Sequence, residues 1–322
     1  MEVIPGLEAW PADIDSTVVT IGMFDGVHRG HRKIIEQAHQ RARELDLRCA
    51  IFTFDRHPLE VIKPGKHPPI LSSSAQKLRL LEELDVDLVL IAHFDAAFAR
   101  IPADQFFEEI LVKKLRSKVI VVGANFHFGF KGEGDVRYLT RRGEEKGIEV
   151  ISVPLLKDGS EVISSTNVRR LLEKGEVEEA NRRLGWDYLL EGFVARGDSR
   201  GAALGFPTAN LEIHDLRCIP ANGVYGGKAF VGHHRYPAAI YIGTVPTFRG
   251  RKRRVEVHIM GLKEELYSRY IGISFLFRLR PEMTFKDQVD LKRQIQEDVR
   301  RIRERIKEGY GGRGHRKSQP EY

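Results

Sequence analysis

A chain of 322 residues with 42% hydrophobic and 30% charged residues is a folded globular protein, long enough for two domains with separate cores. Its two cysteines, Cys49 and Cys218, stand far apart, which leaves a disulfide framework or a clustered-ligand zinc site without support and favours a reducing compartment. The formal charge of +7 suits either a nucleic-acid binder or an enzyme of polyanionic nucleotides.

The start of the chain has no basic stretch followed by an apolar one, and no apolar run approaches the about 20 residues of a bilayer span. A cytoplasmic location without membrane contact is therefore expected. From about residue 17 to 154, β-rich runs alternate with helical patterns. Thr17 to Met23, Arg48 to Phe54, Val86 to Ala92, Lys118 to Gly123 and Ile148 to Pro154 are predicted strands, four of them nearly continuous in apolar residues. Helices are predicted at His31 to Leu45, Ala75 to Leu84 and Ala103 to Leu115. In the last, Phe106, Ile110, Leu111 and Leu115 form a core-facing stripe. This alternation predicts an α/β domain with a doubly wound parallel sheet, whose ligands bind beyond the C-terminal ends of the strands.

Ser164 to Leu184 is predicted helical with a break at Gly175. After Trp186 the chain becomes rich in glycine and β-formers, with strands at Val224 to Val231, Ala238 to Gly243 and Val255 to Met260, which predicts a small antiparallel barrel. A final helix spans about Lys286 to Lys307, and the Gly-rich basic tail beyond 308 is expected to be disordered. The expected domains are thus 1–185, 186–308 and the tail 309–322. The basic run Arg249 to Arg254 is placed in a loop.

The most informative stretch runs from Gly22 through Phe24, Asp25 and Gly26 to His28-Arg29-Gly30-His31, where the first buried strand gives way to a helix. Free N–H groups and the positive helix end converge at such a junction, which makes it a phosphate site. Gly26 and Gly30 allow close backbone approach. His28 and His31, three apart on a helical turn, share a face and can stabilise charge moving onto pyrophosphate. A metal pair or a plain structural role would fit two histidines as well, but no third ligand is near and the position favours phosphate. In Ser164-Ser165-Thr166-Asn167-Val168-Arg169, hydroxyls ahead of a helix are an N-cap signature, and Arg169 one turn inward could also grip a β- or γ-phosphate.

In the β-rich half, glycines at 197, 201 and 205 mark a loop ahead of Phe206-Pro207-Thr208-Ala209-Asn210. On a strand, Thr208 and Asn210 point to one side and offer oxygen ligands suited to magnesium and phosphate. Glu256 and His258 share a side in the same way, and by pattern alone Glu256 is as readily a solvent-facing residue as a functional one.

Taken together these segments resemble the prokaryotic bifunctional riboflavin kinase/FMN adenylyltransferases, also called FAD synthetases. The likeness covers Thr20 to about Ile306. It rests on T-I-G-x-F-D-G-V-H-x-G-H, T-F-x-x-H-P at Thr53 to Pro58, G-x-N-F-x-F-G at Gly123 to Gly129, I-S-S-T-x-V-R at Ile163 to Arg169 and G-x-x-L-G-F-P-T-A-N-L from Gly201. The resemblance implies phosphorylation of riboflavin to FMN and adenylyl transfer from ATP to FMN, each with magnesium and ATP. It assigns ATP contacts to Gly22, Phe24, Asp25, Gly30, Asn125, Ser164 and Ser165, with His28, His31 and Arg169 acting on the triphosphate. In a Greek-key kinase barrel it gives Gly201 and Gly205 to ATP, Thr208 and Asn210 to magnesium and phosphate, Glu256 to general base catalysis and Arg280 to the flavin. The chain departs from the family pattern at Ala202, Val245 and Trp186-Asp187, leaving Thr208, Asn210 and Glu256 intact. Retention of only one activity, or nucleic-acid binding through the basic runs, are the competing readings. The second lacks paired exposed aromatics in a basic groove.

Overall fold

In a computed structural model, which describes residues 1–196, 201, 204–214, 216–247 and 250–310, the buried apolar runs of the first half form a parallel sheet. The side chains of 245–247, 250–252 and 310 also lie outside the described set. Contacts divide the chain into two units, Met1–Pro68 with Ser72–Ser165, and Pro69–Leu71 with the chain from Thr166 onward.

The first unit holds strands β1 (Glu2–Pro5), β2 (Thr17–Ile21), β3 (Arg48–Phe54), β4 (Leu88–Ala92), β5 (Ser117–Gly123) and β8 (Glu149–Val153), ordered β1-β4-β3-β2-β5-β8. Two short pairs, β6 (His127–Phe128) with β7 (Gly134–Asp135) and β9 (Lys157–Asp158) with β10 (Glu161–Val162), lie outside this sheet. From β2 the chain builds outward to β3 and β4 on one side and returns to place β5 and β8 on the other. The order therefore reverses between β2 and β5, whose register pairs Thr20 with Val121. That reversal opens a crevice at the strands' C-terminal ends, where α/β sheets bind ligands.

Helix α1 (Arg29–Leu45) packs Ile35, Ala38 and Ala42 inward, and α2 (Pro58–Ile62) and α3 (Ser74–Glu82) follow β3. The helix predicted at Ala103 to Leu115 begins as one α turn, α4 (Ala103–Gln105), and continues with π winding over Phe106–Lys114. Its stripe is buried as expected, and Phe107 is buried with it. Leu115 N bonds Ile110 O at 2.8 Å, five residues back, a wider winding than the 3.6-residue pattern implies. Helix α5 (Val136–Lys146) leads into β8.

In the second unit, α6 (Ser165–Lys174) and α7 (Val177–Leu184) precede a closed barrel of β11 (Leu189–Ala195), β12 (Ala209–Ile213), β13 (Gly223–Val231), β14 (His234–Thr247), β15 (Gly250–Ile259) and β16 (Tyr270–Pro281), ordered β11-β12-β15-β14-β13-β16. Leu171, Leu172, Val177 and Leu184 of the helices share a core with Tyr225, Ile240 and Phe275 of the barrel. By contacts these helices belong with the barrel, although the sequence changes texture only after Trp186. Helix α8 (Gln288–Arg305) starts on an Asp287 cap and buries Val299 and Ile302.

One expectation fails here. The basic run lies on strand β15 from Gly250 onward, not in a loop. Arg253 has fixed acceptors: it donates to the carbonyls of Ile219 (2.8 Å) and Pro220 and to Asn222 Oδ1 (3.2 Å). The carbonyls that collect Arg253 are remote in sequence, so the run itself does not reveal them. Residue 249, the loop residues 197–200 with Ala202, and the tail from 311 on lie outside the described residues.

Candidate active sites

The first candidate site hangs on the turn that leaves β2. Gly22 N still bonds Phe52 O (3.1 Å), continuing the sheet, and then the backbone enters the left-handed region at Phe24 (φ 50°), Gly26 (φ 78°) and Val27 (φ 35°). Left-handed geometry is unusual for a large or β-branched residue, so the turn needs support from outside itself. Phe24 and Val27 are both buried, and Val27 N closes the turn on Phe24 O at 3.1 Å. Asp25 is buried, and its Oδ1 accepts from Ser72 N (3.1 Å) and faces Ser72 Oγ (3.4 Å), while Gly26 N donates to Ser72 Oγ (2.9 Å). Ser165 Oγ donates to Asp25 O at 2.9 Å, so one residue of the second serine motif meets the first motif directly.

His28 caps α1, its Nδ1 accepting from His31 N at 3.2 Å. The two imidazoles stack with centroids 3.6 Å apart, and Phe24 meets the His31 ring edge-on at 5.3 Å. The pair therefore shares a face, as the i, i+3 spacing predicts. A Cβ on Gly30 would come within 3.2 Å of the His28 ring and 3.3 Å of Ile163 O, so glycine lets the helix start, the imidazole and the serine segment crowd together. Asn125 is exposed just beyond β5, with its carbonyl 3.0 Å from His127 Nδ1. Gly22, Phe24, Asp25, His28, Gly30, His31, Asn125, Ser164 and Ser165 all belong to the first unit. Arg169 belongs by contacts to the second, where it is buried and its Nε donates to Pro69 O at 2.6 Å.

The second candidate site lies in the barrel. Strands β12 and β15 pair antiparallel with Asn210 opposite Glu256, and Thr208 Oγ1 lies 3.3 Å from Glu256 Oε2. Arg254 Nη1 approaches the other carboxylate oxygen, Oε1, at 3.4 Å. Thr208, Asn210, Glu256, Arg254, Tyr241 and Arg280 all line one cavity of about 390 Å³. The Tyr241 hydroxyl is pushed well above its ordinary pKa by burial and by donation to Glu282 Oε1 at 2.6 Å. Gly201 also lines the cavity, and a Cβ there would fall 2.4 Å from Phe206 O, so the loop closes only around glycine. Gly205 adopts φ 89° in the same turn.

Arg280 reaches the cavity wall, but its guanidinium is committed: Nε and Nη2 bond Asp298 at 3.0 and 2.7 Å, and Nη1 donates to Pro281 O at 3.0 Å. It ties β16 to α8.

Sequence reasoning missed Ser72, Lys77, Arg254 and Tyr241. Ser72 sits in Ser72-Ser73-Ser74 ahead of a helix, the same hydroxyl-rich signal that drew attention to Ser164. Arg254 was hidden within a basic run, two residues from Glu256 on the same strand face. Lys77 carries no motif signal at all, and only the fold brings its ammonium to the end of β2.

Comparison with known proteins follows the same division. A family model described as FAD synthetase matches residues 11–167, and one described as riboflavin kinase matches residues 184–306. The bifunctional riboflavin kinase/FMN adenylyltransferase of Escherichia coli strain K12 is 37% identical over 291 residues, covering 90% of this chain and 93% of its own. The chain belongs to the bifunctional riboflavin kinase/FMN adenylyltransferase family. The Bacillus subtilis member is 33% identical over 286 residues, 88% of this chain and 90% of its own. A crystal structure described as a macrolide-efflux protein from Streptococcus pneumoniae shares 30% identity and superposes with a TM-score of 0.86 over 94% of this chain and 99% of that one. Among the described residues here, no helix is long and apolar enough to cross a membrane.

Kinases and nucleotidylyltransferases of this family take ATP, generally with a divalent metal ion. No group of three or more His, Cys, Asp or Glu side chains that could hold a metal occurs among the described residues. The hydroxyl, amide and carboxylate of Thr208, Asn210 and Glu256 are hard oxygen donors, which fit a divalent ion shared with phosphate oxygens.

Proposed function

We propose that this chain makes FAD from riboflavin in two ATP-dependent steps, phosphorylation at the barrel (186–308) and adenylyl transfer at the first site (1–185). The reading is supported above all by the coexistence, in one chain, of the stacked histidine pair at the sheet's reversal point and the Thr208–Asn210–Glu256 set in the barrel cavity.

In the kinase step Glu256 accepts the proton of the ribityl 5′-hydroxyl as that oxygen attacks the γ-phosphorus of ATP. The bond from the γ-phosphorus to the bridging oxygen breaks, and ADP leaves. Thr208 and Arg254 hold the two oxygens of the Glu256 carboxylate at 3.3 and 3.4 Å, which fixes its direction without contacting the reacting hydroxyl. Thr208 and Asn210 would hold the magnesium ion that comes with ATP. When bound, that ion draws charge from the phosphate oxygens. Gly201 and Gly205 give the loop close approach to the nucleotide. Arg280 lies along the flavin side of the cavity, its guanidinium anchored by Asp298.

In the adenylyl step a phosphate oxygen of FMN attacks the α-phosphorus of ATP in line, and pyrophosphate departs without a covalent enzyme intermediate. Positioning and charge stabilisation carry such a reaction. His28 and His31 face the departing phosphates from the helix start, where the positive end of the α1 dipole also points. Gly22, Phe24, Asp25 and Gly30 shape the turn around the nucleotide, Ser164 and Ser165 flank it, and Asn125 meets it from the β5 side. Arg169 is assigned to the triphosphate on the sequence resemblance alone.

Substrates that include ATP, together with two buried cysteines that form no disulfide, are in keeping with a cytoplasmic enzyme. The bonded arginine of β15 argues against a nucleic-acid groove there. The test is direct: purified protein is given riboflavin and MgATP, and the products are separated by chromatography. FMN appearing first and FAD after it is the expected result. Riboflavin left unconverted, with supplied FMN also unconverted, would overturn both assignments.

A further inference from the structure

The turn carrying His28 and His31 holds two bulky residues in left-handed backbone geometry, and its supports lie elsewhere in the fold. Two of them come from the start of α3. Ser72 grips Asp25 and Gly26. One and a half turns further along, Lys77 is buried at 7% exposure and directs its ammonium to Met23 O (3.4 Å), Thr53 Oγ1 (3.1 Å) and Phe54 O (3.0 Å). Thr53 Oγ1 donates in turn to Met23 O at 3.2 Å. Three acceptors match the three protons of an ammonium. Two of those acceptors are main-chain carbonyls at the exits of β2 and β3, next to the strained turn.

Stability alone does not explain a lysine here. Burial pushes its pKa down to about 8 even though the Asp25 and Asp55 carboxylates act to raise it, so its partners do not repay the cost of burying the charge. An apolar side chain of similar length would avoid that cost but would take the ammonium donor away from Met23 O, Thr53 Oγ1 and Phe54 O.

We propose that Lys77 is a positioning residue for adenylyl transfer: its buried ammonium cross-links the exits of β2 and β3 and so fixes the turn that presents His28 and His31. The inference rests on the reading of the first site given above. Lys77 touches backbone carbonyls and the Thr53 hydroxyl and no reacting atom in this account. Its effect should therefore fall on the rate of the chemical step more than on ligand affinity, because small misplacements of positioned groups cost rate heavily.

The experiment measures FAD formation from FMN and MgATP, and FMN formation from riboflavin and MgATP, in one preparation of the full chain. Lys77→Met is expected to lower kcat for FAD formation by roughly 10- to 100-fold, to leave KM for FMN within about threefold of wild type, and to leave FMN formation unchanged. Lys77→Arg, which keeps the charge and its donors, is expected to recover part of the loss. Lys77→Met with kcat within twofold of wild type, or with the loss confined to KM, overturns the proposal. Should Lys77→Met lower both activities through misfolding, Lys77→Gln decides it: reduced kcat for FAD formation with intact FMN formation supports the clamp, and wild-type kcat refutes it. A parallel His31→Ala variant separates the two levels of inference: if it keeps full FAD formation, the first-site reading itself fails, whatever Lys77 does.

Discussion

At the exit of β2 the functional groups ride on a turn, whereas in the barrel they stand on two paired strands, and the two arrangements are held in place by different physics. Asn210 faces Glu256 because the β12–β15 ladder sets the register, and a slip of one residue would turn both away from the cavity. His28 and His31 have no such ladder. Their geometry depends on a helix cap, on glycine at 30, and on buried polar ties from Ser72, Lys77 and Ser165. A site on a ladder should tolerate changes at remote polar residues, while a site on a strained turn should not. That contrast can be broken by experiment.

The largest expected effect is at the barrel. Glu256→Gln should cut FMN formation by roughly 10²–10⁴, the range for loss of a general base, with FAD formation from supplied FMN unchanged in the same assay. His31→Ala should cut FAD formation by about 10²–10³, as for loss of one charge-stabilising donor, leaving FMN formation and the melting temperature close to wild type. Gly201→Ala is a milder blow to the ladder site. Its Cβ would meet Phe206 O at 2.4 Å and must displace the loop leading to Thr208, so a fall of about tenfold in FMN formation is expected, short of the 10² attached to a 1 Å misplacement.

The smallest effect is one of stability. The pKa of Lys77 drops from 10.5 unfolded to about 8 folded, so above pH 8 the unfolded chain holds the proton more tightly than the folded one. Stability from this group therefore rises with pH from about 8 toward 10.5. Cys49 acts oppositely, since burial raises its thiol from 9.0 to about 12 and stability falls once the unfolded thiol ionises. The urea midpoint measured between pH 8 and 9 should climb in wild type relative to Lys77→Met, and parallel curves would show that Lys77 does not titrate as its burial implies.

Much of both sites was legible in sequence, for reasons that differ between them. The α/β alternation revealed the parallel sheet because its strands are buried on both faces, as the wholly buried Thr17–Ile21 illustrates. The shared face of the histidine pair showed through local spacing and that of Thr208 and Asn210 through the period of a strand, whereas Glu256 was singled out only by the family resemblance. The unread part was long-range. Lys77 reaches Met23 across 54 positions, and Arg253 finds its carbonyls more than 30 away, so neither leaves a local pattern. The π winding of Phe106–Lys114 preserves its buried stripe while changing its hydrogen bonds, which side-chain periodicity does not report.

Two sites acting in series can be tested most directly by mixing two disabled chains. Glu256→Gln and His31→Ala proteins are each given riboflavin and MgATP, alone and together, and the flavins are separated by chromatography. The expected result is unchanged riboflavin with the first, accumulated FMN with the second, and FAD from the mixture. FAD from riboflavin with the Glu256→Gln protein alone, or no FMN with the His31→Ala protein, would contradict the separation of the two sites.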